Sequence, residues 1–249
     1  MEESIYELLD NPKPDARINV LLNNHYYTHL AKIEGVNFIG LESVVENTNN
    51  SLLKNTDLLF VVLSDEQSKI GLKWLEEVKA MSVLTVVLFI ESPAIDNSES
   101  IKALTKCVDS IFVLPSASEE DIYSLLNGIC SLIVNPGFIR VDFADVRVIM
   151  SAMGHAMMGY GSASGEYRAS EVMQSVLSHP FLDTKKLLRA EGILVNLSAG
   201  PDLTMEEFTI ISQVVEKRVA EKAIVVVGTS WDERCGDQLI VTLVATGVE

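Results

Sequence analysis

Two carboxylates, Asp142 and Asp145, stand three residues apart between a Pro136-Gly137 break and the apolar run from Val146 to Met158. Acids so placed sit at the mouth of a helix, where they can serve two ends. In the first helical turn a carboxylate accepts hydrogen bonds from free backbone N–H groups and is favoured by the helix dipole, a structural role. The same pair, left open to a partner, can polarise a water or hold a metal ion. Spacing alone leaves both readings open. A second candidate, His25 and His29, has the four-residue step of two ligands on one helix face. No acid lies between them in the HExxH sense and no third ligand is evident, so partly exposed helix histidines are the simpler reading and no metal is expected.

The first half of the chain is built to position a ligand. Met1 to Asp15 is acidic and reads as an extension with a short helix, Ser4 to Leu9, stopped by Asn11-Pro12 and Pro14. β-rich runs then recur at Ile18 to Leu22, Asn37 to Leu41, Leu58 to Leu63, Val83 to Ile90 and Ser110 to Leu114. Between them the clearest helix is Lys69 to Met81, with Ile70, Trp74, Leu75 and Val78 on one face. Wholly apolar strands alternating with helices predict a parallel sheet covered on both sides, a Rossmann-like α/β half over 16–115. Ser116 to Val134 reads as a connecting helix: Ser116 and Glu119 fit a capping box, and Ile122, Leu125, Leu126, Ile129, Leu132 and Ile133 repeat at helical spacing.

In such a sheet a ligand sits beyond the carboxyl ends of the strands, and phosphates there need glycines so that several backbone N–H groups can approach. After the first run this chain has Asn23-Asn24-His25-Tyr26-Tyr27, and after the third Ser64-Asp65-Glu66-Gln67. The first 135 residues hold only Gly35, Gly40, Gly71 and Gly128, none near another, and neither a P-loop nor a GxGxxG pattern. Two carboxylates facing a triphosphate repel it. Binding of a nucleotide through a phosphate cradle is therefore not expected.

The second half, 136–249, reads as an α+β domain. Met150, Met153, Met157 and Met158 fall at helical steps and suit pliable core or interface filling. Gly159, Gly161 and Gly165 mark a loop before a helix from Glu166 to Leu177, and Pro180 closes that unit. A strand from Ile193 to Leu197 leads to a turn at Ala199-Gly200-Pro201-Asp202. Thr204 with Glu207 caps a helix running to about Glu221, with Phe208, Ile211, Val214 and Val215 inward. Strands Ile224 to Val227 and Leu239 to Ala245 flank a polar loop from Trp231 to Asp237.

Composition removes whole classes of function. With 249 residues, 48% hydrophobic and 22% charged, the chain is globular. A net charge of -16 excludes broad contact with nucleic acid or anionic membranes. The acidity is concentrated early: residues 1–135 hold 9 basic against 20 acidic residues, and 136–249 hold 10 against 15. Val83 to Ile90 is far shorter than the ~20 residues of a membrane span, and MEESIYELLD lacks the order of a signal peptide. Cys107, Cys130 and Cys235, scattered and odd in number, suit free thiols in a reducing compartment. Cytoplasmic residence is the expectation.

The wording of the second half goes further. VDFADVR, followed by MSAMGHAMMGYGSASGE, then GILVNLSAGPDLTMEEF from Gly192 and VVVGTSWDERCGDQLIVTLVATG from Val225, closely resembles the synergy loop and C-terminal domain of FtsZ, the bacterial tubulin-like division GTPase, over about 110 consecutive residues. The resemblance implies a tubulin/FtsZ-like fold, with Ser116 to Val134 as the central helix joining two domains. It implies that the loop of one subunit enters the nucleotide pocket of the next, with Asp142 and Asp145 helping water attack the terminal phosphate. Phe138, Arg140, Asp142, Phe143, Asp145 and Arg147 would then line the subunit interface. Arg140 departs from the family, which usually has Asn there. A guanidinium beside a neighbour's phosphate can form charge-assisted hydrogen bonds, and a solvated loop charge is the plainer alternative.

The missing glycine signatures depart further, as does a shorter segment before the central helix, which in the family contributes to the guanine site. The expected function is that of an FtsZ-like cell-division protein, resident in the cytoplasm at the division site, that has lost GTP and docks head-to-tail on FtsZ filaments as a capping or modulating subunit. No cofactor is expected. The alternatives are a divergent FtsZ that binds GTP with magnesium and polymerises by itself, and a scaffold serving an unrelated partner through its acidic first half. FtsZ proteins normally continue past the point corresponding to Glu249 into a tail that membrane tethers recognise, so no direct membrane binding is expected.

Overall fold

The computed structural model describes residues 16–22, 30, 33–41, 53–92, 94–152 and 154–248, with the side chains of 69 and 70 excluded. The expected helix Ser4 to Leu9, the loop Asn23 to Tyr27 with its His25, and also His29, the side chain of Ile70, and Met153 lie outside the described residues.

Five strands open the chain: β1 (Ile18–Leu22), β2 (Val36–Gly40), β3 (Leu58–Ser64), β4 (Leu84–Glu91) and β5 (Ser110–Pro115). All pair in parallel, with Ile18 opposite both Val36 and Leu58. The near-continuous burial of β1, β3, β4 and β5 follows from helices on both faces, whereas β2, at the sheet edge, is only half-buried. In β3 the period of two is explicit: Leu58, Phe60 and Val62 enter one core. Leu59, Val61 and Leu63 enter the other, against Trp74, Leu75 and Val78 of α1 (Ser68–Lys79) and Leu104 of α2 (Ser98–Thr105).

The connecting helix, α3, runs Glu119–Val134. Its cap differs from expectation: Ser118 and Asp121 form the capping box, and Ser116 instead adopts φ 54 where the chain leaves β5. The sequence offers two overlapping Ser-x-x-acid patterns, and the backbone turn at Ser116 selects the second. Burial joins the halves: α3 and α4 (Phe143–Met150) share one core with strands of both.

The apolar run Val146 to Met158 is not one helix. α4 ends at Met150, Gly154 takes φ 123, and β6 (His155–Ser164) begins. Met157 and Met158, read as helical neighbours, point into opposite cores. Pairing with β9 (Gln238–Thr246) over nine residue pairs decides for the strand. Gly159 and Gly161 thus belong to a strand rather than a loop. A side chain at Gly159 would meet Val176 O at 2.3 Å, so its absence lets α5 (Arg168–Leu177) lie close on β6. β7 (Gly192–Ala199), α6 (Met205–Glu216) and β8 (Ile224–Trp231) complete the fold. Here α6 stops at Glu216, short of the expected Glu221, with Ile211 and Val215 buried and the Thr204/Glu207 capping box formed.

Among the described residues the nine strands form a single sheet in the order β2-β1-β3-β4-β5-β6-β9-β7-β8. The two half-sheets meet at only two residue pairs, Ile111 with His155 and Phe112 with Ala156. A polar seam supports that narrow join from the side. Asn196 Nδ2 on β7 lies 3.0 Å from Gly128 O and 2.8 Å from Ser131 Oγ of α3, both buried. A side chain at Gly128 would meet Thr242 Oγ1 at 2.5 Å, so the missing Cβ lets α3 lie close on β9. Among the described residues no helix is long and apolar enough to cross a membrane.

Candidate functional site

The segment leading into α4 is pinned along β8. Thr229 accepts at its carbonyl from Gly137 N–H (2.8 Å), donates its own N–H to Ile139 O (2.9 Å), and accepts at Oγ1 from Ile139 N–H (2.9 Å). Trp231 N–H donates to Asn135 O at 3.0 Å. Val141 is buried over Gly228, where a Cβ would clash with its methyl at 2.3 Å. Phe138 is left outside, 65% exposed, its ring edge-on to Trp231 with centroids 5.9 Å apart.

Asp142 is the N-cap of α4, its Oδ1 accepting from Ala144 N–H at 3.0 Å, so the capping role is filled. It stays exposed, as do Arg140 and Asp145. Among the described residues the side chains of Arg140 and Asp145 have no hydrogen-bond or ion-pair partner. Phe143 and Arg147 turn toward the protein: the Arg147 guanidinium lies 5.2 Å from the Phe143 ring centroid and donates to Asp57 O at 3.3 Å. Of the six expected interface residues, four therefore present free surface and two fasten α4 to the first half. A water or cation bound by Asp142 would share its carboxylate with the cap.

The carboxyl ends of β3 and β4 contrast with this. Gln67 Oε1 accepts from Ser64 N–H (3.2 Å) and from Ser64 Oγ (3.3 Å). Asp65 Oδ2 accepts from Ser92 N–H at 2.9 Å, and Ser68 Oγ donates to Asp65 O at 2.8 Å. Asp65 Oδ1 is buried with no partner among the described residues. Side chains of the 64–68 turn thus take the Ser64 and Ser92 N–H groups, while one Asp65 carboxylate oxygen stays without a partner among the described residues.

Two clusters escaped the sequence reading. Arg168, 5% exposed at the start of α5, donates through Nε to Glu207 (2.6 Å) and through Nη1 to Asp202 (2.6 Å) and Asp237 O (2.7 Å). The Glu207 hydrogen bond, with Asp202 beside it, pushes the guanidinium further up from its ordinary value. Burial would raise the Glu207 carboxyl, but hydrogen bonds from Arg168 and Thr204 outweigh it and hold it below the usual range. The capping box at Thr204 and Glu207 was visible in sequence; its partner, a lone arginine 39 residues away, carried no local signal. The second cluster joins Asp121 of α3, Tyr160 of β6 and His179 after α5, with Tyr160 Oη donating to Asp121 Oδ1 at 3.1 Å. Burial and the Asp121 charge push the Tyr160 hydroxyl up to about 12.

Comparison with known proteins agrees with this architecture. Residues 154–249 match the family model "FtsZ family, C-terminal domain". The cell division protein FtsZ of Buchnera aphidicola subsp. Baizongia pistaciae is 32% identical over 246 residues, covering 84% of this chain and 62% of that protein. The FtsZ of Pseudomonas aeruginosa is 37% identical over 198 residues, covering 70% of this chain and 50% of that one. The chain thus spans between half and two thirds of these relatives. Among solved structures, an empty FtsZ dimer from M. jannaschii superposes with a TM-score of 0.83 over 98% of this chain and 91% of that one, at 22% identity, a likeness of fold. Residues 154–249 thus match the FtsZ C-terminal domain, and the chain as a whole is FtsZ-like in sequence and shares the tubulin/FtsZ fold.

Proposed function

We propose that this chain is a cell-division protein that does not bind GTP itself and docks its 138–147 loop onto the nucleotide-bearing face of an authentic FtsZ subunit, capping or tuning the filament at the division site. The observation that carries this reading is the difference in how two loops use their polar groups. At the ends of β3 and β4 the Ser64 and Ser92 N–H groups are taken by Gln67 and Asp65, beside a buried carboxylate oxygen. On the opposite kind of loop Phe138, Arg140, Asp142 and Asp145 remain exposed. A head-to-tail polymer needs two complementary faces per subunit, so a subunit with one can join an end without extending it.

Calorimetric titration with GTP, with and without magnesium, tests the reading. No heat from a folded sample is expected; micromolar affinity, about -8 kcal/mol, would return the chain to the self-polymerising GTPases. Filament-end binding is then measured by adding the chain to polymerising FtsZ and following mass and GTP turnover. Arg140→Asn distinguishes a guanidinium acting on the neighbour's phosphate from a bystander: a changed partner GTPase rate is expected, and an unchanged rate and affinity would remove Arg140 from the mechanism.

A further inference from the structure

His179 follows α5 and is held from three sides. Its Nδ1 accepts from Phe181 N–H at 3.3 Å, which fixes the neutral tautomer with hydrogen on Nε2. Its Nε2 lies 3.9 Å from Asp121 Oδ1, and the side chain is 11% exposed. The ring packs on Tyr160 with centroids 4.4 Å apart and on Phe181 at 5.3 Å. The short loop thereby ordered grips β6, since Phe181 O accepts from Met158 N–H at 3.2 Å. Phe181 also walls an open surface cleft of about 290 Å³ beside the narrow β5–β6 join, lined by Val113, His155, Met157, Asp183 and Lys186 among others.

We propose that His179 is a proton-operated latch: a proton on Nδ1 removes the acceptor of Phe181 N–H, and the 178–183 loop then releases β6 beside the join between the half-sheets. The chemistry is one-sided. Imidazolium has two donors and no acceptor, so the Phe181 N–H is left facing another N–H. Meanwhile the charged ring is drawn to Asp121, where it competes with the Tyr160 hydroxyl. The charges that bear on it come from several elements. Asp121 on α3 and the carbonyl end of α5 favour the proton, Tyr160 on β6 is neutral, and Asp183 and Lys186 line the cleft beyond Phe181 with opposite signs. Burial opposes the proton and prevails over Asp121, holding the imidazole below its ordinary value, so the latch is closed at neutral pH. The proposal is independent of any role on FtsZ filaments.

The test is NMR on the full chain, following the His179 Cε1–H shift together with amide exchange at Phe181 and Met158 as pH is lowered. Below the ordinary histidine value, opening of the loop should rise toward tenfold per pH unit until the ring itself titrates. His179→Asn supplies an oxygen that can accept the same N–H two residues on without taking a proton, and should hold both amides protected across the range. Tyr160→Phe frees Asp121 for the imidazolium and should move the opening to higher pH. The latch is overturned by a ring that titrates while Phe181 stays protected, by a ring that stays neutral until the whole fold melts, or by the Asn variant opening like the wild type.

Discussion

The loop before α4 and the loops after β3 and β4 are both ends of secondary structure rich in Asp, and they use it in opposite ways. Before α4, the backbone is satisfied by a strand 90 residues away through Thr229, so the side chains of Arg140 and Asp145 are left without a hydrogen-bond partner among the described residues. After β3, the side chains of Asp65 and Gln67 replace backbone partners, so they are consumed by it. A surface is available for binding when long-range pairing has already met the local hydrogen-bond demand. Where side chains meet it, as Gln67 does for Ser64 and Asp65 for Ser92, those side chains are committed to the loops.

The largest effect should come from outside both regions. Arg168→Ala strips Glu207 and Asp202 of their shared cation and should lower stability by about 3 kcal/mol, near the bottom of the range for a broken buried pair because Asp202 is 46% exposed. Chemical denaturation measures it. Per folded molecule, docking on FtsZ should be unchanged; a matching loss of affinity would mean the two regions are not the whole contrast.

Phe138→Ala sharpens the comparison from the open side. An exposed aromatic at the centre of a docking face should lose about 2 kcal/mol of binding, near thirtyfold in Kd, with stability nearly intact. Equal binding by the variant would break the idea that this face docks. Asp142 then separates structure from chemistry: Asp142→Ala should lose about 1 kcal/mol of stability with its cap, and Asp142→Asn should restore that. If the Asn variant also restores the effect on a partner's GTPase rate, the charge of Asp142 has no catalytic part.

The smallest effect is expected on the closed side. Gln67→Ala frees Ser64 N–H and Ser64 Oγ and should lower stability by about 0.5 kcal/mol. It should not create GTP binding, because Asp65 remains; calorimetric heat with GTP from this single change would show the loop to be nearer a phosphate site than its hydrogen bonds suggest. Acid sharpens the ledger of carboxylates. Glu207 is held below its ordinary 4.5, so its contribution is complete above that value and fades as pH falls through the lowered one, visible in the midpoint of acid denaturation.

Much of the fold was legible because its signals are local. The expected strand Ile18 to Leu22 is β1 to the residue, and the Thr204/Glu207 box opens α6 as read. Two misreadings share a cause. Ser116 and Ser118 both satisfy the capping pattern, and only the turn out of β5 rejects the first. Val146 to Met158 is apolar enough for a helix or a strand, and pairing with β9, nearly a hundred residues later, settles it at Met157 and Met158. The exposed acids were found by wording, whereas Arg168 and His179 were not, since their partners are remote in sequence.

The chain by itself determined the parallel frame, the caps built from neighbouring residues, the want of clustered glycines and the family resemblance. These follow from periodicity and short-range hydrogen bonding, which a linear string displays. Only the tertiary structure decided which carboxylates face water, which are spent inside loops, and that His179 sits between Asp121 and Tyr160. Exposure and hydrogen-bond partnership depend on elements that burial brings together from distant parts of the chain, and no local pattern records which ones will meet.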